Sequence, residues 1–270
     1  MTFSVLLSIY KKEHPTHLKQ SLDSLFAQTL LPTEVVLVKD GPLTPELDSV
    51  IAEYVQKYPV IKLVPLAQNG GLGKALNEGL KHCSFDLIAR MDTDDIAKPM
   101  RFEKQVEVFR LHPEVDICSA WIDEFEEDTS HILSCRKLPE HHKEIAKYAK
   151  SRCPLNHPVV MFRKKAVTDA GGYLHFPLLE DYFLWVRMLM NGCKFYNIQE
   201  SLLYFRTSPD MFKRRGGWIY AMNEIRFQLM LHRMHFTSLA LCLKNISVRF
   251  VVRLIPNGIR KFIYQRMLRK

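Results

Sequence analysis

Unbroken apolar runs alternate with segments of helical period over the first 120 residues. Phe3 to Ile9 reads as a strand buried on both faces. Residues 15–28 follow as a helix, with Leu18, Leu22, Leu25 and Phe26 at helical spacing and Pro15 near the start, where a proline is tolerated. The alternation continues as a strand at 34–38, a helix at 46–57, a strand at 61–64, a helix from 74 to about 81 and a strand at 85–89. Lys39-Asp40-Gly41-Pro42 is turn sequence, and Asn69-Gly70-Gly71-Leu72-Gly73 is a glycine-rich turn that opens a helix. Further on, the pattern predicts a helix at 98–111, a strand at 115–121 and a solvated loop or edge from Asp123 to Asp128. A helix at 138–150, a strand at 158–162 and a short helix at 164–170 come next. A helix from 180 to 190 carries Glu180 and Asp181 in its first turn, where acids suit the helix dipole. Residues 216–270 are expected to be helical with an interruption at Pro256.

Strands alternating with helices predict an α/β fold, a Rossmann-like, mostly parallel sheet flanked by helices. In such a sheet the residues just past the strand ends gather at one edge, where ligands bind. Tyr10, Asp40, Asn69 and the run Asp92 to Asp95 all hold such positions. Asp92, Asp94 and Asp95 repel one another and resist burial, so gathering them needs a reason. A hard divalent cation, Mn²⁺ or Mg²⁺, supplies one; a solvated acidic turn is the plainer alternative.

Composition narrows the class without naming the chemistry. With 47% hydrophobic and 25% charged residues, the 270-residue chain resembles an ordinary globular protein with one substantial core. Its six cysteines form no C-x-x-C pair and no zinc spacing, and no secretory signal precedes them, so they are expected to be reduced thiols in the cytoplasm. Charge is unevenly spread. Residues 211–270 carry 13 of the 38 Lys+Arg and one of the 29 Asp+Glu, leaving 25 basic and 28 acidic residues for 1–210. An acidic body with a basic tail predicts two units, 1–210 and 211–270, the second meeting an anionic surface.

Five stretches carry a resemblance. They are Val5-Leu6-Leu7-Ser8-Ile9-Tyr10, Val36-Leu37-Val38-Lys39-Asp40-Gly41, Asn69 to Gly79, Met91-Asp92-Thr93-Asp94-Asp95, and Leu179-Glu180-Asp181-Tyr182-Phe183-Leu184-Trp185. In this order they resemble the family 2 inverting glycosyltransferases of the GT-A fold that build bacterial surface polysaccharides. The resemblance covers about residues 3–210. It implies transfer of a sugar from a nucleotide sugar, UDP-linked, to a hydroxyl of a lipid-linked glycan, as in O-antigen synthesis, with Mn²⁺ or Mg²⁺.

It also implies roles for single residues. Asp94 would ligate the metal, Asp92 would touch the ribose or a metal-bound water, and Asp95 would ligate or support the turn. Asp40 would bind the nucleotide base, with Ser8, Tyr10 and Glu13 lining the same pocket and Asn69 and Lys74 near the donor. Asp181 would be the general base, with Glu180 as the alternative, and Trp185 would pack beneath the site. His157, in Asn156-His157-Pro158, stands where similar enzymes carry a His-Pro pair, and is read as a metal or donor ligand against a structural role. Arg206 and the basic run beginning at Lys213 would cover the diphosphate. Two positions depart from the family pattern: Ser8 replaces a proline, and Lys39 replaces the first member of an acidic pair.

The tail is too charged to span a bilayer comfortably. Arg249, Arg253 and Arg260 fall on one side of an ideal helix, which suits the surface of an anionic membrane and a peripheral location on its inner face. Packing of the tail on the body or on a second copy, as a homo-oligomer, is the other reading. A sugar-phosphate nucleotidyltransferase would need an N-terminal glycine- and arginine-containing loop that is missing here. A nucleic-acid-binding role would need a recognised motif, and none is present.

Overall fold

The computed structural model describes residues 1–207 and 217–254. Among them, β1 (Phe3–Ile9), β2 (Glu34–Lys39), β3 (Ile61–Pro65) and β4 (Leu87–Arg90) are parallel neighbours, linked by α1 (Pro15–Phe26), α2 (Pro45–Lys57) and α3 (Leu72–His82). Along β1, Val5, Leu7 and Ile9 face α1 and α2, while Leu6 faces α3, so both faces of the strand are buried. This is why these strands are continuous apolar runs in the sequence. Their parallel register brings Tyr10, Asp40 and Met91 out at the same edge.

The sheet then changes character. β5 (Ile96–Ala97), α4 (Arg101–Leu111), β6 (Ile117–Phe125), β7 (Ser134–Arg136), α5 (His142–Ala149), β8 (Met161–Arg163), α6 (Lys164–Asp169), α7 (Glu180–Met190) and β9 (Phe195–Arg206) complete it. The order across the sheet is β3-β2-β1-β4-β8-β6-β9-β5, with β7 paired to β6. β8 runs antiparallel to β4 and β6, whereas β9 runs parallel to β6.

Two expectations are corrected here. The acidic stretch from Asp123 is not all loop: Asp123 to Phe125 end β6. There Asp123 pairs with Lys98 at 2.6 Å, and Glu124 accepts a hydrogen bond from the Ser134 hydroxyl across the hairpin. The strand expected at 158–162 opens instead with a 3₁₀ turn, His157–Val159, and only Met161–Arg163 pairs in the sheet. Pro158 has no N–H for a ladder and suits the first turn of a helix.

The C-terminal described residues form a helix pair, α8 (Trp218–Arg233) and α9 (Leu239–Leu254). The chain reverses between them at His235, whose φ is 60°, and the Ser238 hydroxyl accepts from the Leu241 N–H as the next helix begins. Pro256 and Arg260 lie outside the described residues. The inner side of the pair packs on α7, with Phe227 and Leu231 against Leu179, Tyr182 and Val186. Arg249 does not face outward as the helical wheel predicted. It pairs with buried Glu224 and donates to the Ser151 carbonyl. Arg249→Met should therefore remove two charge-assisted contacts, with Glu224 and with the Ser151 carbonyl, and cost about 2–3 kcal/mol in urea unfolding. A loss below about 1 kcal/mol, the value of an ordinary surface pair, would contradict this packing.

Candidate active site

The acidic turn 92–95 is held from three sides. From α1, a polar stripe on its buried face supports the turn: the Ser21 hydroxyl donates to the Asp92 carbonyl at 3.1 Å, and the Ser24 hydroxyl accepts from the Ala97 N–H at 3.0 Å. Gln28, just past the end of α1, donates to the Lys98 carbonyl and accepts from the Phe102 N–H. From β9, the Arg206 N–H donates to Asp95 Oδ1 at 2.8 Å and its Nε to the Asp94 carbonyl at 2.9 Å. From β4, the buried Arg90 guanidinium grips both oxygens of Asp92.

Ligand atoms of Asp92, Asp94 and Asp95 lie within 4.8 Å of one another. Burial pushes the Asp94 carboxyl up to about 6, and the neighbouring Asp92 charge adds to this. Asp95 is fully buried and is raised in the same direction, by burial and then by Asp94 and Asp92. Its Oδ2 has no hydrogen-bond partner among the described residues. A buried oxygen without a donor, beside two further carboxylates, fits an oxygen-ligated divalent cation.

Asp40 joins the next strand end to the glycine-rich turn. Its carboxylate accepts from the Gly70 N–H at 2.7 Å, the Gly71 N–H at 3.0 Å and Asn69 Nδ2 at 3.0 Å. Gly41 has φ 84°, and a Cβ there would sit 2.6 Å from the Asn69 nitrogen, so only glycine lets the two turns approach. Ser8, Tyr10 and Glu13 lie at the end of β1 and in the loop after it, partly buried. Lys74 is exposed in the first turn of α3, with Cδ close against Gly70.

The second pair of acids stands beside that helix. A Cβ at Gly73 would lie 3.3 Å from Tyr173 and 3.8 Å from Glu180, so the start of α3 abuts the start of α7. Burial, and then Asp181, raises the Glu180 carboxyl, and His175 lies 3.8 Å from it. The Cys153 thiol donates to Asp181 Oδ2 at 3.7 Å. Tyr173 is clamped through its backbone to Asn77, and its hydroxyl, buried against His157, feels the charges of Arg90, Asp181 and Asp92.

His157 stands apart from the three carboxylates: its Nε2 meets the Tyr173 hydroxyl at 2.9 Å, and its ring is edge-on to buried Trp185. Burial, then the charge of Arg90, holds its imidazole well below the ordinary histidine range. Lys213 lies outside the described residues. Sequence reading missed Arg90, Tyr173, Cys153 and the stripe Ser21, Ser24 and Gln28. Ser21 and Ser24 are legible in retrospect, because they are buried along α1 with Leu18, Leu22 and Leu25. A groove of about 420 Å³ between α4 and β9, lined in part by Met100, Tyr196 and Glu200, contains none of these site residues.

Comparison with known proteins decides the class. Residues 4–171 match the model of glycosyl transferase family 2. The chain belongs to that family. Its full length is 44% identical to an uncharacterized glycosyltransferase of Haemophilus influenzae, covering all of both chains. It is 41% identical to the UDP-Gal:alpha-D-GlcNAc-diphosphoundecaprenol beta-1,3-galactosyltransferase of Escherichia coli, covering 99% of this chain and 97% of that one. The amylovoran biosynthesis glycosyltransferase AmsE of Erwinia amylovora is 39% identical, with 98% of each covered. Two solved structures share the fold. S. aureus TarS 1-349 with UDP-GlcNAc has a TM-score of 0.67 at 18% identity, over 94% of this chain and 72% of that one. The mannosyltransferase PcManGT from Pyrobaculum calidifontis, with GDP-Man and Mn2+, scores 0.66 at 17% identity, over 95% and 77%. This family 2 chain has the GT-A fold expected from its sequence, and the acidic turn, Asp40 and the glycine-rich turn all fall inside the matched segment.

Proposed function

We propose that this glycosyltransferase moves a sugar with inversion from a UDP-sugar to a hydroxyl of a lipid-diphosphate-linked glycan, in the assembly of a bacterial surface polysaccharide. One observation carries the reading: the glycine turn held by Asp40 leads into a helix that abuts the start of α7, where Glu180 and Asp181 stand, and Tyr173 at that contact feels the charges of both Asp181 and Asp92. UDP-galactose is the first donor to try, because the 41% identical relative is named for it. That relative makes a β linkage, and UDP-galactose is an α-glycoside, which supports inversion.

Asp94 and Asp95, with Asp92 beside them, would hold Mn²⁺ or Mg²⁺. When bound, the ion supplies positive charge against the departing diphosphate. Asp181 takes the acceptor proton as general base, and the Cys153 thiol on its Oδ2 fixes the carboxylate's orientation. Asp40 holds the glycine turn in place at the end of β2, and Ser8, Tyr10, Glu13, Asn69 and Lys74 would line the donor pocket beside it. Arg206 braces the acidic turn from β9, next to the segment that holds Lys213. The test is transfer from UDP-galactose to a synthetic GlcNAc-diphosphate lipid, with Mn²⁺ or chelator, and NMR of the product anomer. A β-linked, Mn²⁺-dependent product supports the reading; an α-linked product would overturn inversion.

Within this reading, residues 1–210 do the chemistry and 211–270 place the enzyme on the inner face of the membrane. Exposed Trp218, Ile219, Leu229, Leu239, Leu243 and Val248 share α8 and α9 with exposed Arg226, Arg233 and Lys244. Glu224, the one acid of the pair, is buried against Arg249, so the outer surface carries only positive charge among the described residues. An apolar and basic face of this kind suits anionic lipid. No helix among the described residues is long and apolar enough to cross a membrane. Reversing Arg226, Arg233 and Lys244 to glutamate should weaken cosedimentation with phosphatidylglycerol vesicles by about a hundredfold or more, at about 1 kcal/mol for each basic residue. Equal sedimentation of the variant would sink the membrane assignment.

A further inference from the structure

The loop that leads into α7 goes against ordinary backbone preference. The Leu179 N–H donates to the Phe176 carbonyl at 2.9 Å and closes a four-residue turn, Phe176-Pro177-Leu178-Leu179. Pro177 suits the second position of such a turn, and Leu178 at the third has φ 67°. This is the pattern of a type II turn, whose third position is suited to glycine or asparagine. A leucine held there carries a steric strain that glycine lacks. Its side chain recovers little from the core, being 55% exposed.

The loop is nevertheless firmly seated. Phe176 turns inward, its ring 5.1 Å from that of Phe227 on α8 and 6.0 Å from that of Phe183 on α7. Leu174 and Leu178, two positions to either side, remain at the surface. Tyr173, just before them, packs against Gly73 at the start of α3, where Leu72 is exposed as well. Three large apolar side chains thus stand in water around the start of α7, where Glu180 and Asp181 lie. Strain kept in an exposed residue beside a reactive group points to a use outside the fold.

We propose that Leu174 and Leu178, with Leu72 beside them, seat the first carbons of the acceptor's lipid chain. The inference rests on the lipid-diphosphate-linked acceptor proposed above and adds the surface that recognises its apolar part. In such an acceptor only the glycan and a diphosphate separate the attacking hydroxyl from the chain. With a short glycan and the hydroxyl at Asp181, the chain leaves the site close to the start of α7, and apolar carbons there favour apolar protein over water. The Phe176–Phe227 contact makes the loop continuous with α8, whose outer surface is apolar and basic. A chain lying on these leucines therefore leads from a membrane surface to the base.

Calorimetry on the full chain, with UDP and Mn²⁺ present, compares two soluble acceptors: GlcNAc-diphosphate esterified with farnesyl and with methyl. The unsubstituted protein should bind the farnesyl ester about a hundredfold more tightly, the sum of two half-exposed leucines becoming buried. Leu178→Gly should cut that preference about fivefold to tenfold, and Leu174→Ser should do the same. Leu178→Gly should also unfold at a higher urea concentration, because the strain relieved outweighs the chain entropy that glycine adds. A lower unfolding midpoint would show that the fold itself needs the leucine and would overturn its assignment to the acceptor. Leu174 has no such strained φ, so Leu174→Ser keeps the test open if Leu178→Gly shifts the loop. An unchanged preference in both variants would overturn the proposal. Weaker cosedimentation with phosphatidylglycerol vesicles at unchanged preference would give the leucines to the bilayer and overturn it likewise. Binding of neither ester by the unsubstituted protein would remove the lipid-linked acceptor, and this inference with it; equal binding of both would remove this inference alone.

Discussion

Asp94→Asn is expected to lower kcat/KM for sugar transfer by about a thousandfold or more, because several kcal/mol of charge stabilisation at the departing diphosphate depend on the ion it holds. The fold should not suffer. The Asp94 group that braces the turn is its backbone carbonyl, on Arg206 Nε, which asparagine retains. Removing one of two adjacent, desolvated acids also relieves repulsion, so the metal-free variant should melt no lower than the unsubstituted protein. Calorimetry in chelator checks the second half and a radiolabelled transfer assay the first. Activity that persists in Asp94→Asn with excess chelator would remove the ion from the reaction.

Asp181→Asn is the second large effect. A positioned general base contributes about a hundredfold to ten-thousandfold, and the loss should fall on kcat. The carboxylate lies in the first turn of α7 and contacts the Cys153 thiol, apart from the acidic turn, so donor KM should hold steady. The folding cost is small, since an acid in a helix's first turn contributes about 0.3–1 kcal/mol. Retained turnover in Asp181→Asn together with its loss in Glu180→Gln would reverse the two roles. A fall in donor affinity without a fall in kcat would take Asp181 out of the chemistry.

The half of the fold built on β1 to β4 was legible because parallel strands covered on both faces become continuous apolar runs, and each is followed by turn or glycine sequence. The expected bounds there lie within a few residues of the observed ones: helix 46–57 against Pro45–Lys57, strand 61–64 against Ile61–Pro65. Beyond Arg90 the signal weakens. β5 has two residues and exists only because Ile96 and Ala97 meet β9 more than a hundred positions away. Glu124 was misread since its partners, on β7, are set by the hairpin and not by local composition. The break between α8 and α9 was available in Thr237-Ser238, an N-cap sequence, but the surrounding apolar pattern concealed it.

The candidate site divides along the same line. Asp92, Asp94, Asp95, Asp40 and Asn69 follow directly from strand ends and are brought to one edge by a parallel register. Arg90 was nearly as visible: it is the last residue of β4, two positions before Asp92. Tyr173 and Cys153 were not, because each reaches the site from a loop whose course depends on tertiary contacts, Asn77 for one and Asp181 for the other.

The apolar seam between α7 and α8 bears on how such enzymes change their acceptors. Leu179, which caps the helix that presents Asp181, and Tyr182 and Val186 on that helix are covered by Phe227 and Leu231 of the C-terminal pair. An exchange of the C-terminal helices between two relatives would set a foreign surface against the back of the helix that bears the base. Compatible hybrids should therefore inherit α7 through α9 as one block. A crossover placed inside that block, however conservative at the catalytic positions, would spoil the aim of Asp181 by altering what it leans on.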